Sequence, residues 1–442
     1  MSKTIFITSC HPLISRNIIS TGILDNLLKN NIKIVLIVPK FKTDYFNKTF
    51  ARPNVIVEGI DIKLGKRESL FKYLSLASIN TNTLNIKRKT EMKGSGSFAK
   101  FFLSNFLAHF FIRKLEKYLY NKNIFGDLFK KYNPNSVFIT DIQNEIDIAL
   151  LLEAQSNRIY TLGMVRSWDN LTSKGLIRVI PDRLVVWNEI VKSEAIKFHD
   201  IKERTIDIVG IPHYDDYKKY DYSDKEAFFD KIGADINKKI ALVIPIGDRY
   251  LRDNTVDKDI VDILNKNLPE NYQILVRMPP GDYVRELENK SNNFNRIKVI
   301  YDRSYMATDN IKTTEIRKDD DIHLGQTLFW SDIVISGPST LVIDSVYMNK
   351  PTILFAFDGY KKRNYYDSIR RYYDYDNFVP IIESEGARFA TSIESFIKSI
   401  DEYIKNPKLD EDNRKNLVKK EVFVLDGQST NKLSEVLIEY TK

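Results

Sequence analysis

The fold is indicated most clearly by Ser331–Phe355, which reads SDIVISGPSTLVIDSVYMNKPTILF. An apolar run ends at Ser336, a turn follows at Gly337 and Pro338, and Ser339 opens a helix. A second apolar run closes the stretch. Strand, helix and strand in this order form the repeating unit of a parallel sheet with helices on its faces.

The same alternation extends over the whole chain as two successive series. The first series of predicted strands comprises Lys3–Thr8, Ile32–Val38, Val55–Val57, Ser136–Thr140, Arg158–Leu162, Arg183–Trp187 and Thr205–Val209. The second comprises Ile240–Pro245, Tyr272–Val276, Ile297–Tyr301, Asp332–Ser336 and Thr352–Ala356. Helical spacing is found at Ile14–Leu28, Asp147–Glu153, Glu189–His199, Ile322–Trp330 and Thr340–Met348. Two such series indicate two parallel sheets.

The break between the series lies near Gly210–Tyr222, where Gly, Pro and a stretch rich in Tyr and Asp interrupt the periodicity. We predict an α/β fold of two Rossmann-like, doubly wound domains that face each other across a cleft. The N-terminal domain covers 1–210 with a helical insertion at about 65–130, the C-terminal domain covers 211–425, and a helix over 426–442 is able to pack back on the N-terminal domain. Ligands of such sheets lie beyond the carboxyl ends of the strands.

The 442-residue chain carries a formal net charge of +8, which favours an anionic partner. An anionic membrane surface and a phosphorylated substrate both fit, and so does a lysine-rich composition with no special partner. Nucleic acid is not expected, because the positive charge is spread out and no recognition motif appears. Cys10 is the single cysteine, which excludes an intrachain disulfide and fits a reducing cytoplasm. The five histidines lack zinc-ligand spacing, so no metal site is predicted.

The helix that opens at Ser339 is suited to phosphate, because helix N-termini present unpaired backbone N–H groups with partial positive charge. Thr340 adds a second hydroxyl, and Asp344 lies one turn deeper, where a carboxylate accepts from ribose hydroxyls. Equally, Ser339 fits a helix N-cap and Asp344 a first-turn acid. The predicted phosphate- and ribose-binding residues here are Ser336, Gly337, Pro338, Ser339, Thr340 and Asp344.

Two further loops follow strands of the second series and offer cations. Gly247, Asp248 and Arg249 come directly after the first strand, and Arg277 ends the second. A guanidinium grips phosphate through two parallel N–H bonds, so both arginines are candidate phosphate ligands. Arg249 fits a surface position equally well.

These motifs together resemble the nucleotide-binding half of GT-B glycosyltransferases, in particular bacterial surface-polysaccharide transferases and their CDP-glycerol glycerophosphotransferase relatives. Further pieces match in the same order: Trp187-Asn188 with Val209–Pro212, Asp321–Leu324, Asn349–Ile353, and Asp426-Gly427 with Ser429. The likeness covers roughly residues 135–442. It implies a GT-B fold, a nucleotide-linked donor, and a place for His323 near the base or the donor phosphate.

The resemblance has one departure. Several relatives use a His-Pro pair on the donor phosphate after the second strand of the C-terminal domain, where this chain reads VRMPPG over Val276–Gly281. Arg277 is the replacement cation. The departure counts against a CMP- or CDP-linked donor of the kind those relatives use.

Three residues of the N-terminal domain compete for the role of catalytic base. His11 follows the first strand and Asp141 the fourth, so Asp141 is expected to orient His11, as in many inverting GT-B enzymes. A structural histidine is the alternative. Asp169 lies in a polar loop that also supplies candidate acceptor ligands. Those ligands are Arg166, Trp168 and Asn170.

A basic amphipathic stretch covers residues 98–120, with apolar side chains at three- and four-residue spacing among Lys100, Arg113, Lys114 and Lys117. One interpretation is a helix on the cytoplasmic face of the inner membrane. The other is a helix packed on its own domain, with lysines turned outward. His109 is expected to pack inside.

The resemblance implies a glycosyltransferase of bacterial surface polysaccharide, such as capsule or lipopolysaccharide. Inversion is expected from the predicted His11–Asp141 pair, and independence of a metal ion from Arg277, the hydroxyls and the helix N-terminus beside the leaving phosphate. A nucleotide-sugar would be the co-substrate, with no other cofactor, and a glycan or lipid-linked molecule the acceptor. Three alternatives remain open: a polyol-phosphate transferase, a nucleotide-sugar 2-epimerase, and a non-catalytic carbohydrate-binding protein.

Overall fold

Both series of apolar runs form parallel sheets in the computed structural model, which describes residues 3–62, 65–92, 94, 96–120, 123–251, 253–279, 282–289, 292, 294–303 and 315–441. The strands are β1 (Lys3–Thr8), β2 (Ile32–Pro39), β3 (Val55–Ile60), β4 (Ser136–Ile139), β5 (Tyr160–Met164), β6 (Arg183–Val186), β7 (Ile206–Ile208), β8 (Lys239–Ile244), β9 (Tyr272–Arg277), β10 (Val299–Asp302), β11 (Ile333–Ser336), β12 (Thr352–Phe355) and β13 (Arg388–Ala390).

Helices connect these strands along the chain and lie on both faces of the sheets. Up to β8 they are α1 (Pro12–Ile14), α2 (Ile23–Lys29), α3 (Thr43–Phe50), α4 (Lys66–Ser78), α5 (Asn82–Thr90), α6 (Lys100–Leu103), α7 (Phe106–Tyr118), α8 (Gly126–Tyr132), α9 (Glu145–Ser156), α10 (Asn170–Ser173), α11 (Glu189–His199), α12 (Pro212–Tyr217) and α13 (Lys225–Ile232). Beyond β8 they are α14 (Val256–Asn267), α15 (Arg285–Glu288), α16 (Lys318–Phe329), α17 (Leu341–Tyr347), α18 (Arg370–Tyr373), α19 (Val379–Glu383), α20 (Ile393–Lys405), α21 (Glu411–Glu421) and α22 (Ser429–Glu439). A π-helical turn (Ser15–Ile19) and three 3₁₀ turns (Lys40–Lys42, Glu203–Thr205 and Tyr365–Asp367) complete the inventory.

The chain divides into two units. The N-terminal unit comprises Met1–Lys218 with Val422–Lys442, and the C-terminal unit comprises Lys219–Glu421. The sequence placed these boundaries at 210 and 425. The first boundary lies further along because α12 stays with the N-terminal unit, where the carboxylate of Asp215 accepts the backbone N–H groups of Ser429 (3.3 Å) and Thr430 (2.7 Å) at the start of α22.

Both sheets are doubly wound, which confirms the predicted fold class. The strand order is β3-β2-β1-β4-β5-β6-β7 in the N-terminal unit and β10-β9-β8-β11-β12-β13 in the C-terminal unit, with every pair parallel. The first strand of each unit therefore lies inside its sheet. The winding reverses between β1 and β4 and between β8 and β11, and ligands of such sheets bind beyond the strand ends at these points.

The central strands are buried on both faces, as expected for parallel sheets. Phe6, Val137 and Leu184 lie in the core of the N-terminal unit. Leu242 and Val334 lie in that of the C-terminal unit. Continuous apolar runs rather than alternating ones are therefore what the sequence shows at these strands.

One local prediction was wrong, and one strand was missed. The single helix expected over Ile14–Leu28 is interrupted, because the Thr21 hydroxyl bonds back to the carbonyl of Ile18 (2.7 Å) and the chain restarts as α2 only after Gly22. The strand β13 was not predicted. It has three residues, begins with a charged side chain and lies at the edge of its sheet, so its sequence carries little strand signal.

The predicted insertion forms α4 to α8 between β3 and β4, apart from positions 63, 64, 93, 95, 121 and 122, which lie outside the described residues. At the other end of the chain, α22 packs on α2, where Asn26 Nδ2 donates to Asn431 Oδ1 at 3.0 Å. The ring of Tyr440 stacks on Tyr160 with centroids 4.9 Å apart. In the part of the chain that the structure describes, no helix has both the length and the apolarity to span a bilayer.

Candidate functional site

The loop after β8 is fixed by a buried acid that the sequence did not single out. Asp257 accepts the backbone N–H groups of Ile246 (2.8 Å) and Gly247 (3.1 Å) and the side chain of Asn254 (2.6 Å). Burial raises the pKa of Asp257 to about 6, although these hydrogen bonds act to lower it. Gly247 has φ +87°, and a Cβ there would lie 2.4 Å from Asp282 Oδ2. The loop thus needs glycine at this position.

The turn after β11 lies directly against this loop. A Cβ on Gly337 would come within 2.6 Å of Ile246 Cγ1, so the two backbones approach closely at the β8–β11 switch point. Ser336 is buried, and its hydroxyl bonds to the carbonyl of Gly337 (2.8 Å). Ser339 Oγ accepts the N–H of Leu341, the first residue of α17 (3.3 Å), but the N-cap position is held by Thr340 rather than by Ser339.

The remaining predicted residues of these loops differ in accessibility. Pro338 is half-buried and Thr340 is exposed, whereas Asp344 is buried in α17. Arg249 is exposed. The carboxylate of Asp248 accepts the N–H of Arg285 at the start of α15 (3.3 Å). Thr340 and Arg249 are therefore the more accessible polar side chains of this edge, and Asp344 is the less accessible one.

Arg277 belongs to a buried cluster with one carboxylate and one histidine. Asp302, which ends β10 beside β9, accepts from His323 Nε2 at 2.7 Å and lies 3.7 Å from the guanidinium of Arg277. All three side chains are almost fully buried. A buried guanidinium is stable only when it is paired, and Asp302 supplies the pairing charge and sets its orientation. The adjoining Pro280 and Gly281 of the VRMPPG motif lie outside the described residues.

His11 has a different role in the structure from a base oriented by Asp141. It caps α1, where its Nδ1 accepts the N–H of Leu13 at 3.2 Å. Burial, Arg166, Lys174 and Lys42 together lower the pKa of His11 to about 3. The ring is therefore neutral near pH 7, with its proton on Nε2. His11 is arranged to donate a hydrogen bond rather than to take a proton.

Asp141 pairs with cations instead of with His11. Its Oδ2 accepts from Arg166 Nε at 2.7 Å and lies 4.0 Å from Lys174 Nζ. Both partners of the 2.7 Å pair are buried. The expected Asp141–His11 pair is absent from the described contacts because Arg166, from the loop after β5, occupies the carboxylate.

Asp169 and its neighbours form the beginning of α10. Burial raises the pKa of Asp169, but Lys174 and the hydroxyls of Ser167 and Ser173 outweigh it, so the pKa lies below its usual value. Asn170 is fully buried, and both polar atoms of its side chain have no hydrogen-bond partner among the described residues. The indole N–H of Trp168 is likewise buried and unpartnered within that part of the chain. Buried polar groups in this condition are normally satisfied by a ligand or water.

Like Asp257, the buried acid Asp147 was not suggested as a site residue by the sequence. Asp147 is fully buried in α9 and accepts a hydrogen bond from the Thr8 hydroxyl. Burial, and next the charge of Asp141, raise its pKa well above the usual value. Burial likewise raises the pKa of the Cys10 thiol. Because burial disfavours the charged form of both groups, neither is a good candidate for a nucleophile or a base.

Two acids that the sequence analysis missed, Asp302 and Asp257, lie at or near the carboxyl ends of strands. Asp302 ends a strand, and Asp257 begins a helix behind a strand-end loop. Acids directly after apolar runs were noted in the N-terminal half, at Asp141, and the same signal would have drawn attention to Asp302. Among the described residues, no three His, Cys, Asp or Glu side chains are grouped so that they could hold a metal ion.

Two doubly wound parallel sheets, each with polar loops at its switch point, are the architecture of the GT-B fold. The chain belongs to the CDP-glycerol:poly(glycerophosphate) glycerophosphotransferase family, whose model matches residues 165–439. This confirms the resemblance found in the sequence. Among curated proteins, none matches the chain in sequence.

Solved structures share the fold over all or most of their lengths. A glycosyltransferase from Rickettsia africae matches with a TM-score of 0.52 and 14% identity, covering 100% of this chain and 99% of the other. A UDP-GlcNAc 2-epimerase from Neisseria meningitidis, bound to UDP-GlcNAc, matches with a TM-score of 0.54 and 12% identity, covering 99% and 100%. The wall teichoic acid polymerase TagF matches with a TM-score of 0.53 and 12% identity, covering 100% and 90%. The family and the fold together indicate a glycosyltransferase-type function.

Proposed function

We propose that this chain transfers a sugar from a nucleotide-sugar to a glycan or lipid-linked acceptor in bacterial surface-polysaccharide biosynthesis, such as that of capsule or lipopolysaccharide. Transfer proceeds with inversion and without a metal ion, on the cytoplasmic side of the membrane. The donor binds to the C-terminal unit and the acceptor to the N-terminal unit.

One observation supports this most strongly: the loops at Gly247 and Gly337 touch at the β8–β11 switch point. Neither position accepts a side chain, because a Cβ would lie 2.4 Å from Asp282 Oδ2 in one case and 2.6 Å from Ile246 in the other. Glycine at both positions lets these loops pack closely against their neighbours at this edge. Ser339 and Thr340 present hydroxyls beside them, which suits a diphosphate at this edge.

The positive charge that would stabilise the leaving nucleotide comes from the buried cluster at the ends of β9 and β10. Arg277 and His323 share the single carboxylate of Asp302, so a phosphate placed at this edge meets a fixed guanidinium. Such preorganised donors stabilise negative charge that develops as the nucleotide leaves. Arg249, which is exposed on the neighbouring loop, is positioned to add a second cation once the donor is bound.

The acceptor is assigned to the edge formed by the loops after β1, β4 and β5. Asn170 and Trp168 carry buried hydrogen-bonding atoms that a polyhydroxylated acceptor would satisfy. Arg166 and Lys174 add positive charge beside His11 Nε2, which favours an acceptor with a phosphate or carboxylate group.

Asp141 is our proposed base. His11 has its Nδ1 lone pair engaged and a lowered pKa, and the pKa of Asp169 is lowered as well, which makes both poor proton acceptors. Asp141 lies near the start of the loop after β4, at the β1–β4 switch point, where the acceptor hydroxyl is expected. Its contact with Arg166 orients the carboxylate.

A second candidate function is favoured by the family itself. In a polyol-phosphate transferase, the acceptor attacks the phosphorus of a CDP-linked polyol, and CMP leaves. The fold and the cationic edge serve either reaction. The 2-epimerase reaction is the third candidate, because a UDP-GlcNAc 2-epimerase shares the fold over its full length.

Nucleotide release distinguishes these reactions. The full chain is incubated with UDP-, GDP-, CMP-, CDP- and dTDP-linked donors, with and without glycan and lipid-linked acceptors, and products are followed by mass spectrometry. The proposal predicts an acceptor-dependent release of the intact nucleotide leaving group together with a glycosylated acceptor. CMP release from CDP-polyols would support the second candidate, and acceptor-independent epimer formation the third; either result would overturn sugar transfer.

A further inference from the structure

The hairpin formed by α6 and α7 presents a large apolar surface to solvent. Its most exposed members are Phe101, Phe102, Phe106, Leu107, Phe111 and Tyr118, each between 63% and 84% exposed. We call these six side chains the aromatic surface. Contiguous apolar patches of this kind mark interaction sites on folded proteins.

The opposite side of α7 is buried, and there polar groups flank Ile112, which packs in an apolar cluster with Phe71 and Leu84. His109 contacts Asp200 Oδ2 through Nδ1 at 2.7 Å and the carbonyl of Ser78 through Nε2 at 3.0 Å. Glu116 is buried beside Arg178 at 3.3 Å, and burial raises its pKa to about 7. The helix thus packs on its own unit with Lys114 and Lys117 exposed, as one of the two interpretations expected, and His109 packs inside as expected. Most of the apolar side chains of α7 nevertheless lie on its exposed side.

Arg113 fixes the rotation of the helix further. Its guanidinium donates to the carbonyls of Ile177 (3.0 Å) and His199 (2.6 Å) and to Asp200 Oδ2 (3.0 Å). Turning the aromatic side chains inward would break these buried bonds, each of which is costly to leave unmade. The aromatic surface is thus held outward in the folded chain, ready formed.

Within residues 98–120 the exposed charge has one sign. Over residues 98–120 the only acidic residue is Glu116, which is buried, whereas Lys114 and Lys117 are exposed. The ammonium of Lys114 lies 5.5 Å from the ring centre of Phe110, and that of Lys100 lies 5.3 Å from that of Phe101. Lysines interleaved with exposed Phe and Leu complement a surface that is apolar inside and anionic outside.

We propose that the aromatic surface docks on the anionic face of a phospholipid bilayer, with α7 lying in the plane of the interface. Phe and Leu side chains enter the boundary between headgroups and acyl chains, and Lys114 and Lys117 contact the anionic headgroups. The buried side of α7 contacts Ile177 and Arg178, which continue from the candidate acceptor loop. Docking would therefore bring that loop to the membrane, where a lipid-linked acceptor is available.

Membrane docking is inferred from the aromatic surface alone and does not depend on which donor the chain uses. Vesicle binding is measured without turnover, so it can fail or succeed independently of the proposed function. The full chain is mixed with vesicles of phosphatidylglycerol and phosphatidylcholine, or of phosphatidylcholine alone, and bound protein is recovered by flotation. We expect binding to the anionic vesicles that weakens as salt is added. The triple variant Phe106→Ser, Leu107→Ser, Phe111→Ser should bind at least about tenfold more weakly, with an unchanged melting temperature.

Phe41→Ser is the matched control, since Phe41 is 65% exposed in the same unit but lies outside the hairpin, and it should bind like the wild type. Lys114→Gln and Lys117→Gln should each weaken binding to anionic vesicles by about fivefold, which keeps the test valid should the triple variant misfold. Failure of the wild type to bind anionic vesicles, or undiminished binding by the triple and lysine variants, would overturn the proposal. So would a concentration-dependent dimer that the triple variant abolishes, because the occupant would then be a second copy.

Discussion

Replacing Asp141 by asparagine tests the electrostatics of the candidate acceptor edge. Asp141 Oδ2 lies 2.7 Å from Arg166 Nε, and the two side chains are 5% and 9% exposed. At an effective dielectric constant of about 20, a separation of that size corresponds to roughly 6 kcal/mol of attraction, much of it offset by desolvation. Asp141→Asn leaves Arg166 buried without a counter-charge, which costs about 3–5 kcal/mol. We expect about 3 kcal/mol, because asparagine keeps an acceptor oxygen.

The double variant Asp141→Asn, Arg166→Met separates this structural effect from catalysis. It removes the stranded charge, and Lys174, the other cation near Asp141, is one-third exposed and can be solvated. Its unfolding free energy should return to within about 1 kcal/mol of the wild type. Turnover should not return, because the proposed base is still missing.

Urea unfolding followed by tryptophan fluorescence measures the effect on the N-terminal unit. Trp168 and Trp187 belong to this unit, and Trp330, the third tryptophan, belongs to the other, so a Trp330→Phe background isolates the signal. If Asp141→Asn and the double variant are equally destabilised, the Asp141–Arg166 pair is not what stabilises this edge. If the double variant regains turnover, Asp141 is not the base.

Two further predictions follow from buried groups elsewhere. His199 accepts the N–H of Ile177 at 3.0 Å, and burial lowers its pKa to about 3, below its unfolded value near 6.5, so its stabilising contribution is complete above pH 6.5 and is lost as the pH falls toward 3. The stability advantage of the wild type over His199→Gln should therefore shrink by about 3 kcal/mol between pH 7 and pH 4 in urea titrations, and parallel pH profiles would contradict it. Gly337→Ala should cost about 1–3 kcal/mol, because its methyl group meets Ile246. Gly22→Ala, whose Cβ meets nothing closer than 3.6 Å, is the control in calorimetry; equal melting temperatures for the two variants would contradict the close approach.

Regular structure was predictable wherever a single segment determines it. The strands β1, β8 and β11 each contain consecutive apolar residues because both faces of those strands are buried, and the sequence alone indicates them. The edge strand β13 has no such run. The break before α2 depends on a hydrogen bond from Thr21, which periodicity does not reveal.

Side-chain partners were much less predictable, since they come from distant parts of the chain. Arg166 and His11 were both singled out, yet nothing in the sequence shows that Arg166 takes the carboxylate of Asp141. The outward turn of the aromatic side chains on α7 likewise depends on Asp200 and Arg178, which lie far along the chain. Strand-end position predicts that residues share an edge, but not which charges pair there.

Donor binding to the C-terminal unit is the central claim, and calorimetric titration of the full chain tests it most directly. Nucleotides and nucleotide-linked donors of uridine, guanosine, cytidine and thymidine are titrated into the wild type and into Gly337→Ala. We predict that at least one diphosphate-linked donor binds the wild type and that Gly337→Ala weakens it by about tenfold or more, a difference of about 1.4 kcal/mol or more. Absence of binding by every donor, while acceptor glycans do bind, would contradict the assignment of the donor to the β8–β11 switch point.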